Sequence, residues 1–152
     1  MLAKNDKETE FIRECYRYLR SEGLVDSKAL GTVSITHDGI KEVEKAIIEP
    51  GQSTSHFPAR ISDMTLVSEQ IRNPVNEIQN KRHVFLNKAY QLSEGSDMRI
   101  VSAFEITEEL GYDQRTLERV YFYLEDEGLI KTFALGGKFT ITHRAIKQLD
   151  EP

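Results

Sequence analysis

The chain has 152 residues, 25 acidic side chains against 20 Lys and Arg, and a formal net charge of −5, so it repels polyanions at long range and any contact with one must be local. That length buries one core of ordinary size, or two small ones that lean on each other. No apolar run is long enough to cross a bilayer and no charged-then-apolar leader opens the chain, while the single Cys15 excludes an intramolecular disulfide; together these point to a reducing, cytoplasmic setting without membrane contact.

In the first 50 residues Ile12, Cys15, Tyr16 and Leu19 fall at i, i+3, i+4 and i+7, one face of a helix. Cys15, on that face, is expected to be a small buried hydrophobe. Gly23 follows the last periodic turn, where a residue with positive φ ends a helix. Leu24-Val25 begin a strand, Leu30-Gly31-Thr32 supply a turn, and Val33-Ser34-Ile35 return. Thr36 is a good N-cap for a closing helix over 41–47. A helix and hairpin alone have too little core to be stable, so Phe11, Ile12, Tyr16 and Leu19 need a cover. The middle of the chain, the second half or another copy are the candidates, and a homodimer through this unit is the expectation.

Residues 51–80 read as a connecting segment. Pro50-Gly51 and the run to Pro58 are linker by composition. Met64, Leu66, Val67 and Ile71 suit a strand or short helix, Asn73-Pro74 break it, and 75–81 lead as helix into Arg82. From there Val84, Phe85, Ala89, Tyr90 and Leu92 mark an amphipathic helix over 82–93, ending at Gly95. Residues 99–104 are a short apolar strand. Two helices follow, a short one to Leu110 and one starting after Asp113, with Gly111 in the tight turn between them.

The end of the chain then repeats its beginning. Tyr16, Leu19, Gly23 and Leu24 return as Tyr121, Leu124, Gly128 and Leu129; Ala29-Leu30-Gly31 returns as Ala134-Leu135-Gly136, and Ile35-Thr36-His37 as Ile141-Thr142-His143. The offset is constant up to the turn glycine and one larger after it, so one residue is inserted at the hairpin tip. A single long-period repeat marks two copies of one supersecondary unit. Thr142 caps a closing helix over 146–149.

The pair of helices, Glu127-Gly128-Leu129-Ile130, the glycine turn and Ile141-Thr142-His143 resemble a winged helix-turn-helix. The second half is similar to uncharacterised prokaryotic winged-helix proteins and, more loosely, to regulators of the multiple-antibiotic-resistance and arsenic-repressor types. The resemblance implies an α+β fold, mostly helical with small β-hairpin wings: a complete winged helix over 81–152 and, over 1–50, a partial repeat lacking the first two helices. It also implies a transcriptional regulator that reads duplex DNA through the helix at 113–127 and the wing around 131–141.

On that reading Gln114, Arg115, Thr116 and Arg119 stand at the front of the reading helix. Arg115 and Arg119, one turn apart, would donate to guanine edges and Gln114 to adenine. Lys131 and Lys138 on the wing, with Lys81 and Arg82 at the start of the unit, would meet phosphate. Glu125-Asp126-Glu127 gather at the far end of the helix. A dimer would offer two such helices to a two-fold site. The acidic net charge and the uncovered first unit favour the alternative, a non-enzymatic protein–protein module.

Nothing in the chain spells catalysis, a metal or a cofactor. His37 and His143 recur because the unit recurs, and with His56, His83 and Cys15 they form no zinc or nucleophile spacing. The glycine pairs are hairpin turns without a phosphate-loop lysine. Glu108-Glu109 and Glu125-Asp126-Glu127 are neighbours on solvated helix ends. Tyr16, Tyr18, Tyr121 and Tyr123 are expected to pack on the core with their hydroxyls exposed. No enzymatic activity is expected.

Overall fold

A computed structural model describes residues 2–29, 31–48, 69–134 and 136–151 of the protein. The fold is α+β, mostly helical with small antiparallel sheets, and divides into two compact units, Met1–Arg72 and Asn73–Pro152. Among the described residues no helix is long and apolar enough to cross a membrane.

The first unit opens with α1 (Leu2–Ser21). Gly23, at φ 71°, ends it: the Gly23 N–H donates to the Arg20 carbonyl (3.0 Å) and the Leu24 N–H to that of Leu19 (2.9 Å). β1 (Val25–Ala29) and β2 (Thr32–Ile35) pair antiparallel with Val25 opposite Ile35. The Thr36 hydroxyl donates to the Gly23 carbonyl (2.6 Å) and accepts from the Gly39 N–H (3.1 Å), so one side chain joins the end of α1 to the start of α2 (His37–Ile48). α2 begins directly after this cap, earlier than the apolar spacing from 41 indicates. It also sits close to the hairpin base: a Cβ on Gly39 would collide with the Leu24 carbonyl.

The second unit repeats these bonds. It contains all but the first four residues of α3 (Glu69–Ser93), then β3 (Val101–Ser102), α4 (Ala103–Leu110), α5 (Gln114–Asp126), β4 (Ile130–Ala134), β5 (Lys138–Ile141) and α6 (His143–Asp150). Gly128 has φ 72°, the Leu129 N–H donates to Leu124 (2.9 Å), and Ile130 stands opposite Ile141. The Thr142 hydroxyl donates to Gly128 (2.7 Å) and accepts from the Ala145 N–H (3.2 Å). Both hairpins shift register at the same place, between Ser27 and Ala29 and between Thr132 and Ala134.

Among the described residues, only the second unit has a front. β3 adds to the outer edge of β5, with Val101 opposite Phe139, giving the strand order β3-β5-β4. Phe139 stacks on Phe85 of α3 (5.8 Å between centroids, 23°) and takes the edge of Tyr121 (5.7 Å). Around it Leu86, Ala89, Ile106, Val120 and Ile141 close a continuous core. Ser102 caps α4, Gly111 at φ 67° ends it, and Asp113 caps α5 by accepting the Thr116 N–H (2.7 Å).

Several expectations change. The strand expected over 99–104 is confined to Val101–Ser102, because Ser102 caps α4 and Ala103 and Phe104 already belong to that helix. Asn73-Pro74 do not break the chain: Pro74 lies in the second turn of α3. There a proline removes one N–H bond and crowds one carbonyl near a helix end, where few hydrogen bonds precede it. Residues 61–68, expected to hold a strand or helix, lie outside the described ones.

Cys15 is exposed, not buried. Its counterpart Val120 is fully covered by the front elements, which the described part of the first unit does not possess. The same contrast holds for Ile12 (66 % exposed) against Leu117 (6 %), Val33 (56 %) against Phe139 (0 %) and Ile35 (50 %) against Ile141 (0 %). Of the four tyrosines expected to pack, Tyr16, Tyr121 and Tyr123 are half-buried and Tyr18 is exposed.

Thr142→Ala removes a donor and an acceptor together and should cost about 1–2 kcal/mol, with Thr142→Ser retaining most of it, read from urea unfolding midpoints. Alkali should act on the same unit. Burial raises the Tyr112 and Tyr121 phenols, and the Asp150 carboxylate (2.6 Å) raises that of Tyr90. The folded state therefore holds these protons more tightly than the unfolded chain. Their contribution is complete below the ordinary tyrosine pKa of about 10 and is lost as pH rises through the higher folded values. The urea midpoint should fall above about pH 10 as tyrosinate absorbance appears, and less steeply in Tyr121→Phe.

Candidate nucleic-acid interface

α5 is held from three sides. Its start is fixed by the Asp113 cap, whose carboxyl stays below its usual range because the Thr116 hydroxyl and N–H favour the charged form. Tyr112, just before it, donates to the Lys81 carbonyl on α3 (3.0 Å). On the hairpin side the Thr132 hydroxyl donates to Glu125 (2.6 Å), and since a hydroxyl has one proton, Tyr121 is the donor in its 2.7 Å bond to Thr132.

The eight residues expected to meet DNA fall into different environments. Arg115 and Arg119 are exposed on one face of α5. Gln114 is exposed, but its amide donates to Glu118 (2.8 Å) one turn on, which places a carboxylate in the same row. Thr116 is half-buried and committed to the cap. Lys81 pairs with Glu77 (2.8 Å), which raises its pKa, and lies 6.0 Å from the centre of the Tyr112 ring, near the start of α5.

Arg82 is 92 % removed from solvent, with its guanidinium 3.5 Å above the Tyr123 ring, beside Leu86 and Leu129. It is packed into the unit, and a phosphate could not reach it without unstacking it. Lys131 and Lys138 are both exposed on the hairpin. They are not neighbours: register places Lys131 opposite Thr140 and Lys138 opposite Ala134. The Lys131 amino group lies 5.7 Å from the Phe133 ring centre, and Lys138 borders a shallow groove with Arg99, Ile100 and Glu105.

Sequence reasoning missed the apolar part of this surface. Phe104 on α4 and Phe122 on α5 are 54 % and 58 % exposed and line a shallow depression with Leu117, Tyr121 and Gly137. The Phe104 ring lies so near the hairpin tip that a Cβ on Gly137 would come within 3.0 Å of it. The repeat carried the signal for Phe122: its counterpart in the first unit is Arg17, which marks that position as outward-facing. Among the described residues no group of His, Cys, Asp and Glu is arranged to hold a metal ion. No protein-family model, no curated protein and no solved structure matches the chain.

The environments predict stability effects of different size. Arg82→Ala should cost about 1–2 kcal/mol through the lost ring contact and buried stem. Arg115→Ala and Arg119→Ala, on an exposed face, should each stay within about 0.5 kcal/mol of wild type in urea unfolding.

Proposed function

We propose that this protein is a winged-helix transcriptional regulator that binds duplex DNA, with 81–152 as the complete domain, 1–50 as a partial repeat and 51–80 between them. The observation that carries the reading is Arg115 and Arg119: two exposed guanidinium groups one turn apart on a helix that is capped, braced by α4 and flanked by a hairpin with two exposed lysines. A helix so mounted presents its front to a major groove, and arginine is the side chain best suited to guanine N7 and O6.

In this mechanism Arg115 and Arg119 read bases, and Lys131 and Lys138 sit on phosphate. Lys81 would exchange Glu77 for a phosphate, and Gln114 would give up Glu118 to meet an adenine. Arg82 supports the unit by packing on Tyr123, and Thr116 by holding the cap. A homodimer through the first unit would offer two α5 helices to related half-sites. No catalytic step is assigned to any residue, and the cytoplasm is the setting.

A second reading, a protein assembly module, is favoured by Phe104 and Phe122, since two exposed aromatic rings in one shallow depression suit a protein partner. Titration of a fluorescent duplex at about 50 and 200 mM salt separates the two. With about four phosphate contacts, affinity should fall roughly a hundredfold across that range. Replacing both Arg115 and Arg119 by Ala should cost about 2–6 kcal/mol on a selected site. Absence of binding at the lower salt, or equal binding by the double variant, would overturn the DNA reading and leave the assembly module.

A further inference from the structure

In the second unit the inner face of the repeat is occupied twice over. β3 pairs with the outer edge of β5, and α3 and α4 cover Leu117, Val120, Phe139 and Ile141. In the first unit the equivalent sheet stops at β2, so the strand edge that β3 fills elsewhere is open among the described residues. The equivalent side chains, Ile12, Cys15, Val33 and Ile35, are all exposed, and Phe11 beside them is 67 % exposed. An occupant must therefore bring a strand for the edge and an apolar helix for the face at the same time. An open edge beside apolar residues is also an association hazard unless it is used.

α3, β3 and α4 are already spent on their own unit. Among the described elements, the pair that combines an uncovered apolar helix with an open strand edge is α1 with β2, so the first unit of a second copy answers both requirements. We infer that two copies join through β2, antiparallel about a two-fold axis, into one four-stranded sheet of order β1-β2-β2-β1, with the two α1 helices side by side over it. Such a contact is isologous: each copy gives what it lacks, and the β2 edge and the apolar face of α1 are covered together. Val33 in place of Phe139 leaves room over the sheet for the partner's α1. This deepens the dimer suggested for the first unit and does not depend on whether DNA is bound.

The test follows mass and the Cys15 thiol together on the full chain. Sedimentation should show a monomer–dimer equilibrium, and the rate of Cys15 modification by a maleimide should fall about tenfold or more as the dimer forms, since a covered thiol reacts only through the open state. Ile12→Asp and Val33→Asp change exposed residues, so each should fold with an unchanged circular dichroism spectrum, remain monomeric, and keep Cys15 fully reactive at every concentration. A chain that stays monomeric into the submillimolar range overturns the inference. So does a dimer that leaves Cys15 reactive or survives Val33→Asp, which places the contact elsewhere. Protection of Cys15 already in the monomer also overturns it, because the cover would then be the chain's own. Failure of DNA binding with mass and thiol behaviour as expected removes only the DNA reading.

Discussion

Both units hang on one threonine. Thr36 and Thr142 each donate a hydroxyl proton to the carbonyl of the glycine that ends the long helix, and each accepts the N–H of the third residue of the next helix. The threonine N–H donates to the leucine carbonyl, Leu24 or Leu129, at the base of the hairpin. Helix end, hairpin base and closing helix thus meet at one residue. That junction fixes where the strands begin, which sets Val25 against Ile35 and Ile130 against Ile141. A slip of one residue would turn Phe139 and Ile141 outward and dismantle the core that positions α5.

The same junction explains what was readable in the sequence. Local chemistry was legible because it is short-range: the glycines at 23, 111 and 128, the caps Thr36, Asp113 and Thr142, and the repeated hairpins each need only a few neighbouring residues. Exposure was not legible, because it depends on what lies across the fold. Cys15 and Val120 sit in the same pattern, yet one faces solvent and the other is fully covered. Arg82 reads as a surface cation beside Lys81 and His83, but three residues further on Phe85 is fully buried, and the same stretch of α3 turns Arg82 onto Tyr123. Pro74 reads as a stop and is tolerated because of its place in the helix.

The candidate interface shows a parallel contrast between residue type and residue state. Its cations were visible in the sequence; their commitments were not. Of the eight, Arg115, Arg119, Lys131 and Lys138 are exposed and form no salt bridge among the described residues, whereas Gln114, Thr116, Lys81 and Arg82 are engaged with Glu118, Asp113, Glu77 and Tyr123. In a chain with net charge −5 this favours short-range, geometry-dependent contact over long-range attraction. Phe104 and Phe122, which line one depression with Gln114 and Glu118, give the surface an apolar component that salt would not screen.

The two copies have also ceased to be interchangeable. Where the second unit buries the methyl group of Ala145, the first has Gly39, pressed so near the Leu24 carbonyl that no side chain fits. The closing helix has therefore settled closer to its hairpin in one copy than in the other. The helix that closes the Leu24 hairpin could not carry an alanine at position 39 without moving outward, so the two closing helices are not exchangeable as they stand.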